Sequence, residues 1–152
     1  MVHALRECWR VLRVGGLLID LRPFAGNWPL EVVIRPQVPG GEGLDVWLAG
    51  TLDDSQERPA DVAANAAMAQ AVRAGWFRSE RSTTFEYIWY WDTLAELEAY
   101  IADRWATVMR IPARTRQEAS RLLASAGPDA RLRLRRGMLI GSYRRAAEPN
   151  AQ

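Results

Sequence analysis

The stretch Ala4-Leu-Arg-Glu-Cys-Trp-Arg-Val-Leu-Arg-Val-Gly-Gly-Leu-Leu-Ile-Asp-Leu-Arg-Pro23 decides the fold. Leu5, Cys8, Trp9 and Leu12 recur at the i, i+3, i+4, i+7 spacing of an amphipathic helix. Gly15 and Gly16 follow where a helix end needs a residue tolerant of positive φ. Leu17, Leu18 and Ile19 then make a short apolar run closed by Arg22-Pro23, which reads as a buried strand in the middle of an α/β sheet. Helix, paired glycines, buried strand and an acid at the strand end make half of an α/β unit.

Working outward, Glu31–Arg35 and Asp45–Thr51 are β-type runs around Pro36, Pro39, Gly40, Gly41 and Gly43, a hairpin with a long tip. Its place after a sheet strand predicts an insertion or flap over 24–51, outside the core. Asp54, Ser55 and Pro59 start a helix over about 58–74, with Val62, Ala66, Ala69 and Val72 as the expected core face. Residues 81–91 alternate as a strand, Phe85, Tyr87, Trp89 and Trp91 on one side. Thr93-x-x-Glu96 and Thr115-x-x-Glu118 are capping-box patterns that open two further helices. The last strand covers 130–145, its alternation losing phase near Arg136-Gly137. One α/β domain over 1–145 and a disordered tail over 146–152 follow.

Composition narrows the function classes. The 152 residues carry a formal charge of +2, and all 20 basic residues are arginine. A lysine-free, alanine-rich chain reflects coding composition more than nucleic-acid binding, so nucleic acid is not expected as a partner. The single Cys8 excludes an internal disulfide and multi-cysteine metal motifs, and no apolar run reaches the roughly 18 residues of a membrane span. A cytoplasmic protein without a membrane partner is the expectation.

The pattern Leu5-x-Glu7-x-x-Arg10-Val-Leu-x-x-Gly15-Gly16-Leu-Leu-Ile-Asp20 resembles the helix and fifth strand of class I S-adenosylmethionine-dependent methyltransferases, with Val14 in place of a common proline. The later order of helix, strand, helices and closing strand is similar to that family's C-terminal half. There the last two strands are antiparallel and the seventh inserts between the fifth and sixth. The resemblance implies an α/β fold with a small mixed sheet, Rossmann-like, carrying the hairpin. It implies the substrate-side half of a methyltransferase, either complemented by a separate N-terminal half or the product of a shortened gene. The family's cofactor turn, a glycine-rich loop after the first strand, and the acid ending the second strand have no counterpart here. No cofactor is therefore expected to bind the isolated chain, S-adenosylmethionine entering only if a partner or N-terminal half supplies the site. On its own the chain is not expected to catalyse methyl transfer. The alternative is a non-catalytic ligand-binding or dimeric assembly module.

Candidate substrate-binding residues are Asp20 and Arg22 at the carboxyl end of a strand, Trp28 and Trp47 on the hairpin, and Asp53. Each has a plainer use: Asp20 and Arg22 can pair with each other, the tryptophans can pack on the sheet, and Asp53 can cap a helix. The aromatic strand face could line a pocket for a small apolar ligand or form sheet core. The arginine ridge Arg131, Arg133, Arg135 and Arg136 suggests cross-strand pairing, with Glu86 as the expected acid. His3, the only histidine, has no base or ligand partner in sequence, so no catalytic residue and no metal site is assigned. In the family fold both edges of the strand at 17–21 are paired. With the fourth strand absent, one edge should be open, and a homodimer through that edge or a swapped segment is expected.

Overall fold

The computed structural model describes residues 1–23, 26–34, 45–56 and 58–147. It is a mixed α/β fold: an open five-stranded antiparallel sheet with four helices among the described residues. In chain order the elements are α1 (Val2–Val11), β1 (Leu17–Pro23), β2 (Trp28–Ile34), β3 (Asp45–Leu52), α2 (Arg58–Arg73), β4 (Phe77–Trp91), α3 (Leu94–Tyr100), a π-helical turn (Ile101–Trp105), α4 (Ala113–Ala126) and β5 (Arg131–Arg145). The residues fall into two compact units. One comprises Met1–Ala25, Arg58–Glu86 and Gly137–Gln152; the other comprises Gly26–Glu57 and Tyr87–Arg136.

In the first unit α1 forms as its apolar spacing requires. Leu5 is buried, and Cys8, Trp9 and Leu12 pack beside it with Ala67, Met68 and Ala71 of α2, Phe77 of β4 and Tyr143 of β5. Gly15 takes φ 74°, the left-handed conformation that lets the chain reverse from α1 into β1. β1 runs antiparallel to β5, Leu17 opposite Arg144 through Pro23 opposite Met138. The expectation that β1 lies buried in mid-sheet is overturned. Among the described residues β1 pairs with β5 alone, and only Leu18 joins the helix-covered core. Leu17, Ile19 and Leu21, on the opposite face, are 46%, 53% and 57% exposed. The core face of α2 also differs from expectation: Asp61, Ala64, Ala67, Met68 and Ala71 are buried, while Val62 faces solvent. In an alanine-rich helix several faces are small enough to pack closely, so local pattern does not choose between them.

The second unit is built on β2, paired antiparallel with β3 on one side and with Leu132 and its neighbours of β5 on the other. The hairpin is therefore not a flap. Leu30 and Val32 are wholly buried among Leu52, Trp91, Leu97, Ile101, Leu132 and Leu134. The hairpin tip, 35–44, lies outside the described residues, as do 24–25 and most of the expected tail. The β1–β5, β2–β3 and β2–β5 pairs are all antiparallel, so the expected mixed sheet is corrected to an antiparallel one. The β2–β3 register shifts between Leu30, opposite Gly50, and Glu31, opposite Leu48, leaving Ala49 as the extra residue of a bulge.

α3 starts as the capping-box pattern predicts: the Thr93 hydroxyl accepts the Glu96 N–H at 3.2 Å, and the Glu96 carboxylate accepts the Asp92 N–H at 3.0 Å. The second capping-box pattern is not used as one. α4 begins two residues earlier, with Pro112 at the N-cap, and Thr115 inside the helix donates its hydroxyl to the Thr51 carbonyl at 3.2 Å. Along β5 the buried positions are even-numbered through Arg136 and odd-numbered at Gly141 and Tyr143, which is the loss of phase seen in the sequence.

Candidate functional site

Asp20 and Arg22 leave the same face of β1, two residues apart, and form a close ion pair between Asp20 Oδ2 and Arg22 Nη1, both largely buried. Arg22 Nε also donates to Asn65 Oδ1 of α2 at 3.1 Å. The pair thus ties α2 to β1.

Trp28, Trp47 and Asp53 belong to the other unit. Trp28 is buried: its ring stacks on Trp89 at 5.6 Å and meets the edge of Trp105 at 5.4 Å. Trp89, Trp105, Tyr87, Tyr100 and Trp91 continue the aromatic cluster at 4.3–5.4 Å. The π-helical turn places Trp105 at its end. Apart from the half-exposed Tyr87 the cluster belongs to the core, and Trp28, 5% exposed, offers no open face to a substrate. Trp47, opposite Val32 in the β2–β3 ladder, keeps more than a third of its surface exposed and remains able to stack on a flat ligand. Asp53 accepts the Ser55 N–H at 3.0 Å and pairs its backbone with Arg110 in an isolated bridge.

The arginine ridge is matched by acids. Arg133 and Arg135 converge on the buried Glu31 at 2.8 and 2.6 Å, and Arg131 meets Asp92 at 2.5 Å. Arg136 is wholly buried. Its guanidinium lies 3.5 Å from the equally buried Asp54, donates to the Gly26 carbonyl at 3.0 Å and sits 4.6 Å over the Trp28 ring. Sequence reasoning placed Asp54 at a helix start and Arg136 on a solvent ridge. The one signal available was the loss of alternation at 136. The charges of Arg133 and Arg136 are thus met inside the protein.

A cleft of about 780 Å³ lies between Leu48–Thr51 of β3 and Arg114, Thr115, Gln117, Glu118 and Arg121 of α4. Gly50 allows the approach of the two elements: at φ 151° its Cβ position is filled by the Thr115 side chain. Arg121 grips Glu118 through two hydrogen bonds, at 2.9 and 2.5 Å, and holds that carboxyl below the usual carboxylate range; the nearby Arg114 charge adds to the effect. The cleft offers guanidinium and amide donors to an anionic or carbonyl-bearing ligand. It contains none of the five residues expected from sequence. It was missed because it needs the bulge at Ala49 and an uncapped Thr115, neither of which is a local motif.

Among the described residues no group of three or more His, Cys, Asp or Glu side chains could hold a metal ion, and no helix is long and apolar enough to cross a membrane. Comparison of the chain with protein-family models, with curated proteins and with solved structures gives no match.

Proposed function

We propose that this chain is a methyltransferase-like domain, the substrate-side C-terminal half of that fold, acting in the cytoplasm and not catalytically competent alone. One observation carries the reading. After the helix, glycine pair and strand of the opening stretch, β5 pairs with both β1 and β4, as the family's seventh strand pairs with its fifth and sixth. α1 and α2 pack against the same core, which supports the same order. The residues do not fit S-adenosylmethionine by themselves. Gly15 and Gly16 precede β1 instead of following a strand, and a side chain at Gly16 would run into the Arg13 carbonyl at 2.7 Å. In this reading Trp47 and the cleft beside α4 are the groups through which a substrate would be held, and Asp20, Arg22, Trp28 and Asp53 serve the packing of their own units.

Titration calorimetry of the chain with S-adenosylmethionine should give no binding heat at micromolar protein. Tight binding by the chain alone would overturn the account of the glycine pair. A second reading, a non-catalytic assembly module, is favoured by the exposed apolar face of β1.

A further inference from the structure

We infer that the free edge of β1 pairs with the same edge of a second copy of this chain, antiparallel, about a two-fold axis at Ile19. The inference rests on the ladder geometry of β1 and not on the methyltransferase reading, in which a separate N-terminal half would compete for the same edge.

The direction of each backbone group on β1 follows from its join to β5. The Arg145 N–H donates to the Gly16 carbonyl at 2.8 Å, and Arg145 continues the β1–β5 register opposite Gly16. In an antiparallel ladder the N–H and C=O of one residue point to the same side, and successive residues alternate. Gly16, Leu18, Asp20 and Arg22 therefore point their backbone groups toward β5, and Leu17, Ile19, Leu21 and Pro23 point theirs away. Pro23, which has no N–H, falls in the outward set, where proline is tolerated. Among the described residues nothing meets this outward row. At the C-terminal end of β3, by contrast, the chain supplies partners: the Asp53–Arg110 bridge just beyond the strand and the Thr115 hydroxyl on the Thr51 carbonyl.

The row is complementary to itself about an axis at Ile19; an axis at Asp20 would form as many bonds but set the two Asp20 carboxylates directly opposite each other. With Ile19 opposite Ile19 of the second copy, Leu17 meets Leu21 and Leu21 meets Leu17. The three outward N–H groups and three outward C=O groups of each copy then find partners. Moving the axis to Leu21 would set Pro23 opposite Ile19 and forfeit a donor in each copy. The same register lines up the exposed Leu17, Ile19 and Leu21 side chains on one face. There they adjoin Ile140, which lies opposite Leu21 on β5. From Leu17 to Leu21 the outward residues are uncharged and no bulge interrupts the β1 register, and the one edge proline, Pro23, stands beyond them.

Sedimentation equilibrium at micromolar protein should give the mass of two chains. Ile19→Pro removes the two central donors and should raise the dimer Kd roughly tenfold to hundredfold. Ile19→Glu places a carboxylate against its own copy and should give a dimer that recovers as pH falls; far-UV circular dichroism checks that both variants keep their fold. The register is read in a Cys8→Ala background. A short bifunctional thiol crosslinker should join two Ile19→Cys chains and fail with Leu17→Cys, whose copies stand about 14 Å apart at about 3.4 Å per residue. A monomeric parent chain, or equal crosslinking at the two positions, would overturn the inference.

Discussion

Gly50 is the position where a single methyl group should have the largest local effect. Its φ of 151° lies where side chains are rarely accommodated, and an added Cβ would lie 3.0 Å from Thr115 Cγ2 and 3.1 Å from Thr115 Cβ, with Oγ1 closer still. Two terms contribute to Gly50→Ala. Backbone strain at such a φ is worth about 1–3 kcal/mol, and forcing atoms into a packed junction about 1–3 kcal/mol. Taking the lower half of each range gives about 3 kcal/mol, a large share of the 5–15 kcal/mol typical of a folded domain. Thr115→Ala by itself should cost about 1 kcal/mol, through the hydroxyl donated to the Thr51 carbonyl. Combining the two removes the colliding Oγ1 and Cγ2 but leaves the backbone strain. The double variant should then be about 1–2 kcal/mol more stable than the sum of the singles predicts. Urea unfolding of the four proteins measures the cycle. Additivity within about 0.5 kcal/mol would show that the approach of α4 is not what demands glycine here, and the reasoning would fail.

Other outcomes follow from the charged pairs. The hydrogen bonds from Arg144, one of them 2.9 Å long, hold the Glu80 carboxyl below its ordinary range. A carboxyl depressed in the fold contributes stability above its unfolded pKa and loses it as pH falls through the folded one. The stability difference between the parent chain and Arg144→Leu should therefore shrink on acidification, leaving the part due to the Arg144 bond to the Gly15 carbonyl. A difference that stays constant from neutral to acid pH would refute the pairing. Arg136→Met removes the counter-charge of a buried Asp54 and should destabilise by roughly 3–5 kcal/mol in urea unfolding. Adding Asp54→Asn should restore part of that loss, and a loss below about 1 kcal/mol for the single change would contradict the buried pair.

Much of the local structure was legible in the sequence, because it is set by neighbours. The α1 stripe, the left-handed Gly15, the Thr93 cap and the strand at β4 each depend on residues within a turn or a few strand positions. What was not legible depends on pairing over long separations. β2 and β3 read as a hairpin, but only the Leu30–Leu134 register shows that β2 lies in the middle of a sheet. Leu17, Leu18 and Ile19 read as uniformly buried, and only the placement of α1 and α2 shows that one face is bare. An arginine on an alternating strand reads as surface, and Arg136 becomes core through Trp28 and Asp54, far away in the chain. Of the expected site residues, Asp20 and Arg22 meet each other as their shared strand face permits. The other three are parted by their own neighbours: Trp28 by ring stacking, Asp53 by its turn, and Trp47 by facing outward.

The arginine pairs have a chemical consequence. Guanidinium groups converge on Glu31, cover Trp28 and grip Glu80, each using a planar face or a fork of donors that an ammonium lacks. With no lysine among the 152 residues, these contacts have no side-chain amine near them. Cellular acetylation and ubiquitin attachment at lysine, and reagents specific for the lysine amine, have no side chain to modify anywhere along the sequence.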